Sequence, residues 1–249
     1  TDTWQTTSEQ VAPPGIHNMT SVSTRSEVIV WGGFPETNAG GRYDPLTETW
    51  TPTSQAGAPL PPYCLSAVWT GDEMIIYGGF AIGNTGGRYD PVTNTWAPMS
   101  TAGAPPPRDS HVGVWTGDEM IIWSGYPETT VGRNGGRYDP STDSWTTMSD
   151  TDSPDRRSNA SAVWTGSEMI LWGGQSFQDF VSYNSGGRYD PAADSWEPTS
   201  TVGAPSPRVT PAVWTGDEMI VWGGDLQAPT GGRYNPLGDN WAPTSQVGA

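Results

Sequence analysis

The chain has 249 residues, 34% of them hydrophobic, with 14 Trp, 32 Gly, 24 Pro and a formal net charge of −16. Such acidity argues against nucleic acid and anionic membrane surfaces as partners, because their phosphates would be repelled. No run approaches the ~18 apolar residues of a membrane span, so membrane insertion is not expected, and the single cysteine, Cys64, rules out an intrachain disulfide.

In chain order, the first element is "TDTW" at Thr1–Trp4, which has the character of an outer strand. After it, Gly-Gly-Arg-Tyr-(Asp/Asn)-Pro occurs five times, with its Arg at 42, 88, 137, 188 and 233. The repeat is read as four strands. Strand A is "SAVWT", followed by a tight Thr-Gly-Asp-Glu turn in which Gly supplies the positive φ of a hairpin. Strand B is "MIIYGG", apolar throughout and so predicted to be buried on both faces. Strand C is "GRYD", and Asp-Pro opens the turn that follows it. Strand D is "TWTPTS", polar around one Trp, and its Pro suits an edge. Four antiparallel strands per ~45–50 residues predict an all-β fold, a β-propeller of five four-stranded blades. The expected organisation is one domain over 1–249, with blades at about 7–52, 53–98, 99–147, 148–198 and 199–244, and 1–6 as an extra outer-strand segment.

That extra segment unbalances the count: five A-B-C sets stand beside six D-type segments. The local C-terminal strand around Trp241 has the lower loop-closure entropy and is favoured for the last blade. The first segment is then the remnant of a preceding blade. On that view the chain is cut from a longer array or pairs with a neighbouring molecule through a terminal strand.

The Gly pair ending strand B, the Tyr-Asp-Pro of strand C and the Trp of strand D resemble the kelch-repeat family, over essentially the whole chain. The "VWTGDEMIIWGG…GGRYDP…DTW" pattern is similar to bacterial kelch-like proteins of the secreted type, which implies an extracellular or periplasmic location. The first copy departs, with Ser23 in place of Trp and "TRSE" in place of "TGDE", and Ser124 replaces the first Gly of the pair in the third copy. The resemblance implies a five-bladed kelch-like propeller and a binding platform that uses the D–A and B–C loops, without fixing an activity.

Repetition separates architecture from function. The 14 Trp, the strand C Tyr and Arg, and the hairpin Glu residues recur and read as structural, with each Arg expected to pair with a Glu. The non-repeated large side chains map to one end of the blades, where B–C loops and D–A connections emerge and where loop length varies. Phe34, Phe80 and Tyr126 each follow the strand B Gly and can equally be a semi-repeated packing position. The ligand-binding candidates are Tyr63, Arg108, Asp109, His111, Tyr126, Arg133, Arg157, Phe177, Phe180, Tyr183 and Arg208.

Two enzyme readings lack the residues that they need. A copper-radical oxidase needs several His and Tyr ligands with a reactive Cys, and His17, His111 and Cys64 stand at non-matching places. A glycoside hydrolase needs a carboxylate pair, and the strand A starts offer Asp109 alone. No catalytic residue, metal site or cofactor is expected. The reading is a non-catalytic binding or scaffold domain that recognises a protein segment or a glycan, with a carbohydrate-acting propeller enzyme as the alternative.

Overall fold

In the computed structural model the described residues are 11–13, 17–34, 38–60, 63–79, 83–127, 135–176, 178–224 and 230–245. Five four-stranded antiparallel sheets, each in the order A-B-C-D, carry the regular structure, and no helix occurs among the described residues. Sheet 1 comprises Thr20–Ser23, Val28–Trp31, Gly40–Asp44 and Thr49–Pro52. Sheet 2 comprises Ser66–Trp69, Met74–Tyr77, Gly86–Asp90 and Thr95–Pro98. Sheet 3 comprises Val112–Trp115, Met120–Trp123, Gly135–Asp139 and Ser144–Thr147. Sheet 4 comprises Ser161–Trp164, Met169–Trp172, Gly186–Asp190 and Ser195–Pro198. Sheet 5 comprises Ala212–Trp214, Met219–Trp222, Gly231–Asn235 and Asn240–Pro243, so a local C-terminal strand completes it. The chain falls into two compact units, 1–101 with 107–109, and 102–106 with 110–249. Sheets 1 and 2 lie in the first unit and sheets 3 to 5 in the second. This is the all-β architecture of a five-bladed kelch-type propeller.

In the A–B hairpin Gly takes the positive φ expected of it, 106–113° at Gly71, Gly117, Gly166 and Gly216, and Thr closes the turn. Thr70 Oγ1 accepts the amides of Asp72 and Glu73, and Thr24 Oγ1 accepts those of Ser26 and Glu27 in the same way. The "TRSE" departure therefore keeps the Thr hydrogen bonds of the turn. Each Glu then pairs with the strand C Arg of its own sheet, from 2.8 Å for Arg42–Glu27 to 3.9 Å for Arg188–Glu168. These pairs are partly solvated and contribute about 0–1 kcal/mol each.

Strand B is buried along its full length in sheets 2, 3 and 4, as its apolar run predicts. One side packs forward onto the next sheet. In the first unit, Val22, Ile29 and Trp31 of sheet 1 meet Met74, Ile76, Tyr89 and Trp96 of sheet 2. In the second, Val163, Ile170 and Trp172 of sheet 4 meet Met219, Val221, Tyr234 and Trp241 of sheet 5. Sheets 3 and 4 repeat the pattern, with Trp123 and Trp196 ring centroids 4.4 Å apart. Strand D is therefore an edge strand whose Trp is core in sheets 2 to 5, while Trp50 of sheet 1 is half-buried. A buried Trp removes roughly 150–250 Å² from water, about 4–6 kcal/mol of gross burial at about 25 cal/mol/Å². That is how so few hydrophobic residues suffice.

Polar contacts fix the register between sheets. The indole N–H of Trp96 donates to Ser54 O, that of Trp196 to Ser149 O and that of Trp241 to Ser200 O. Nη1 of Arg42, Arg137 and Arg188 donates to the carbonyl of Pro91, Pro191 and Pro236 in the following sheet. The second Gly of strand C is required by close approach: a Cβ on Gly87 would stand 2.6 Å from Pro59 Cγ, and one on Gly187 would stand 2.7 Å from Pro154 Cγ.

Candidate functional site

Strand B ends in a left-handed turn, and its loop returns beside the start of strand A. His17 bridges Phe34, and Ser158 bridges Gln175, each joining a D–A connection to the B–C loop of the same repeat. The two kinds of loop thus share one end of sheet 1 and of sheet 4.

In the first unit, Phe34 lies between His17 and Tyr63, with ring centroids 5.2 Å and 5.7 Å away. Phe34 is 45% exposed and Tyr63 is half-buried. Arg108 is buried, its carbonyl accepting the amide of Gly79, while the next residue, Asp109, is half-buried.

In the second unit, the loop after strand B of sheet 4 is a built structure. Ser176 N donates to Val181 O, Val181 N to the Asp179 carboxylate, and Tyr183 N to Gly174 O. The Ser176 hydroxyl and the Val181 amide hold the Asp179 carboxyl below its ordinary pKa. Phe180 sits in the left-handed region at φ 57°, which costs an aromatic residue on the order of 1 kcal/mol. The tip presents Phe180 at 71% exposure and Val181 at 56%.

Arg157 clamps the base of this loop. Its Nη1 donates to Gly173 O at 3.1 Å and Ser185 O at 2.7 Å, its Nε to Asp155 O, and its guanidinium lies 4.2 Å from the centre of the Tyr183 ring. Burial pushes its pKa down, and its electrostatic contacts with Tyr183 and Asp155 act the other way. Arg208 does the same for sheet 5, donating to Gly223 O and Thr230 O at the two ends of that B–C loop and to Ser206 O. Both guanidinium groups are buried and engaged by backbone carbonyls, as a fixed planar fork of donors allows. They position the loops from below. The first two copies lack this Arg, with Ile16 and Pro62 at or near its position in the sequence.

The remaining candidates divide by exposure. Tyr126 is exposed, Tyr183 is half-buried against Arg157, and His111 is buried at the start of strand A of sheet 3. Arg133 and Phe177 lie outside the described residues, as do Phe80 and Thr1–Thr6. Val181, missed in the sequence, belongs with Phe180; the length of its loop was the signal that could have found it. Ser124, which replaces a Gly, takes φ 59° and earns its place: its hydroxyl donates to Arg157 O and accepts Arg157 N, both at 2.8 Å.

Each unit thus carries exposed large side chains on its B–C loops, Phe34 in the first and Phe180 beside Val181 in the second. Among curated proteins, none matches the chain. Residues 82–241 match the family described as the KLHDC2/KLHL20/DRC7 Kelch-repeats domain, and kelch-repeat domains act in general as protein-binding scaffolds. With well over half its length matched and the strand C, strand D and glycine motifs in register, this chain belongs to the kelch-repeat family.

Proposed function

We propose that the protein is a non-catalytic docking platform for a protein segment, in an extracellular or periplasmic setting, and that it binds at the B–C and D–A loop end of its sheets. The observation that carries this reading is the exposed Phe180–Val181 tip on a loop clamped by Arg157. Large apolar side chains held rigidly in solvent favour association, because little conformational entropy is lost on binding and apolar area is removed from water. The aliphatic Val181 beside Phe180 favours a peptide over a sugar. Tyr126 and Tyr183 are the further proposed contacts in that unit, Tyr63 and Asp109 are those of the first unit by itself, and family membership supports the non-catalytic reading.

The test compares wild type with Phe180→Ala/Val181→Ser in quantitative affinity capture from the native source and on a glycan array. A protein captured by wild type should be lost at least about tenfold by the double variant, with the melting temperature within a few degrees, since exposed positions contribute little to stability. A protein retained by the double variant but lost on substitution of an A–B turn would place the site at the opposite end. Binding confined to the array would make the ligand a glycan. A hydrolase or oxidase activity abolished by Asp109→Asn or His111→Ala would make the protein an enzyme.

A further inference from the structure

The loop after strand B of sheet 4 is a small sheet of its own, and one of its edges is open. Tyr183 N donates to Gly174 O and Ser176 N to Val181 O, so 174–176 and 181–183 run antiparallel on either side of a tight turn. Gln175 and Ser182 face each other between these two bonds and form a β-bridge. In that geometry the N–H and C=O of both residues point away from the pair. Those of Gln175 are taken up by Ser158: Ser158 N donates to Gln175 O at 2.9 Å, and Gln175 N donates to Ser158 O at 3.0 Å. The order across the loop is therefore Ser158, Gln175, Ser182, with the Ser182 backbone groups at the outer edge. Neither makes a hydrogen bond among the described residues. Ser182 is half-buried, and the exposed Phe180–Val181 tip adjoins it. All of these residues belong to the second unit, within which sheet 4 packs against both sheet 3 and sheet 5.

We propose that an extended peptide segment carrying a basic residue adds to this edge as a further strand, its backbone pairing with the N–H and C=O of Ser182 and an apolar side chain packing on Phe180 and Val181. The inference rests on the docking reading above and specifies how the peptide is held. A donor and an acceptor set side by side at a strand edge are matched by the backbone of another strand. The edge is one residue long: Phe180, at φ 57°, lies outside the extended region, and Asn184 O already accepts the Trp172 indole N–H. The backbone pair therefore sets the register of the peptide, and the apolar tip supplies most of the affinity. Charge selects the sign of the segment. Asp179, next to Phe180, and Asp155, whose carbonyl accepts Arg157 Nε, are exposed, whereas Arg157 is buried and Arg156 half-buried. The Ser176 hydroxyl and the Val181 amide keep the Asp179 carboxyl ionised to below its ordinary pKa. A Lys or Arg beside the paired residue of the peptide meets that carboxylate.

In the experiment a display library of random linear peptides is selected on the whole chain, and a selected peptide serves as the probe. Its binding should fall at least about tenfold for Phe180→Ala/Val181→Ser. It should fall about tenfold for Ser182→Pro, which removes the donor at the edge and none of the hairpin bonds. Ser182→Ala should bind as wild type does, because the side chain takes no part. Slow hydrogen exchange at the Ser176 and Tyr183 amides shows that the hairpin of the Ser182→Pro variant is formed. Two readings need no variant. Methylating one backbone nitrogen of the peptide should abolish binding while methylating the next is tolerated, and the Ser182 amide should exchange at least about tenfold more slowly in the complex. Asp179→Asn keeps an oxygen for the Val181 amide and should weaken binding about two- to fivefold, with a smaller salt dependence. A tip-dependent peptide that leaves the Ser182 amide unprotected and tolerates methylation at every nitrogen overturns the added strand and leaves the docking reading standing. Tip-dependent peptides without a basic residue, indifferent to Asp179→Asn, overturn the stated charge of the segment. A library that yields no tip-dependent peptide overturns both the proposal and the docking reading beneath it.

Discussion

At the residue scale, several side chains that stand out in the sequence act through backbone groups. Ser124 replaces Gly because its hydroxyl serves both the N–H and the carbonyl of Arg157. Ser124→Ala keeps the left-handed strain and loses both bonds, so it should cost about 1–3 kcal/mol in chemical denaturation. Ser124→Gly should cost less, since Gly removes the strain. Arg157→Ala would leave the carbonyls of Gly173 and Ser185 without their donor, a loss of about 2–4 kcal/mol. Hydrogen exchange should quicken at the loop amides of Ser176, Val181 and Tyr183 in that variant. Phe180→Ala should leave the same amides protected, which separates a support from a contact. An architectural residue need not occur in every copy, so repetition alone does not separate a supporting Arg from a ligand contact. Buried carbonyls at the base of a loop are invisible in a one-dimensional string.

At the element scale, the C–D turn links two sheets. The Asp of each Asp-Pro pair accepts amides two and three residues ahead, as Asp44 does from Leu46 and Thr47. The turn then reaches a left-handed residue, Asn94, Asp143, Asp194 or Asp239, which accepts the strand C Tyr hydroxyl of its own sheet. Asp194 also accepts the Ser149 amide of the preceding sheet. Burial raises its pKa, but the Tyr189 hydroxyl and Ser149 amide outweigh burial and leave it lowered. The pKa of Asp90 is lowered by the Thr93 hydroxyl first, and that of Asp139 by the Ser141 hydroxyl. A folded pKa below the unfolded value of about 3.9 gives stabilisation that is complete above that pH and lost as pH falls through the lower folded value. Unfolding free energy should therefore decline below about pH 4. Asp194→Asn should flatten part of that decline and be tolerated, because sheet 2 uses Asn94 at the same place. Asp194→Ala should be the more destabilising variant at pH 7. Denaturation measured at pH 7 and pH 3 on the three proteins checks both statements. The Asp-Pro turn was legible in the sequence, but the hydrogen bond to the preceding sheet was not, because the residues it joins are 45 apart in the chain.

At the scale of the whole molecule, stability is a sum over similar sheets and the contacts between neighbours. Trp172 is fully buried against Trp241, so Trp172→Ala should cost about 3–5 kcal/mol. Trp222 occupies the same place in sheet 5 but is partly exposed, and Trp222→Ala should cost about 1–2 kcal/mol. Comparable losses in the two variants would mean that the face of sheet 5 is covered in solution.

The sequence by itself determined the strands, their order in each sheet and their faces. Apolar runs, turn chemistry and a glycine pair are local, and five copies of them leave few alternatives. It also determined the Arg–Glu pairing, since each repeat carries one of each in partner strands. Only the tertiary structure decided which non-repeated side chains stay exposed. Phe180 and Val181 reach solvent, while Arg157 and Arg208 turn inward to backbone carbonyls. Burial of a polar side chain depends on acceptors that other segments bring to it, and those acceptors belong to the backbone, which has no signature in residue identity.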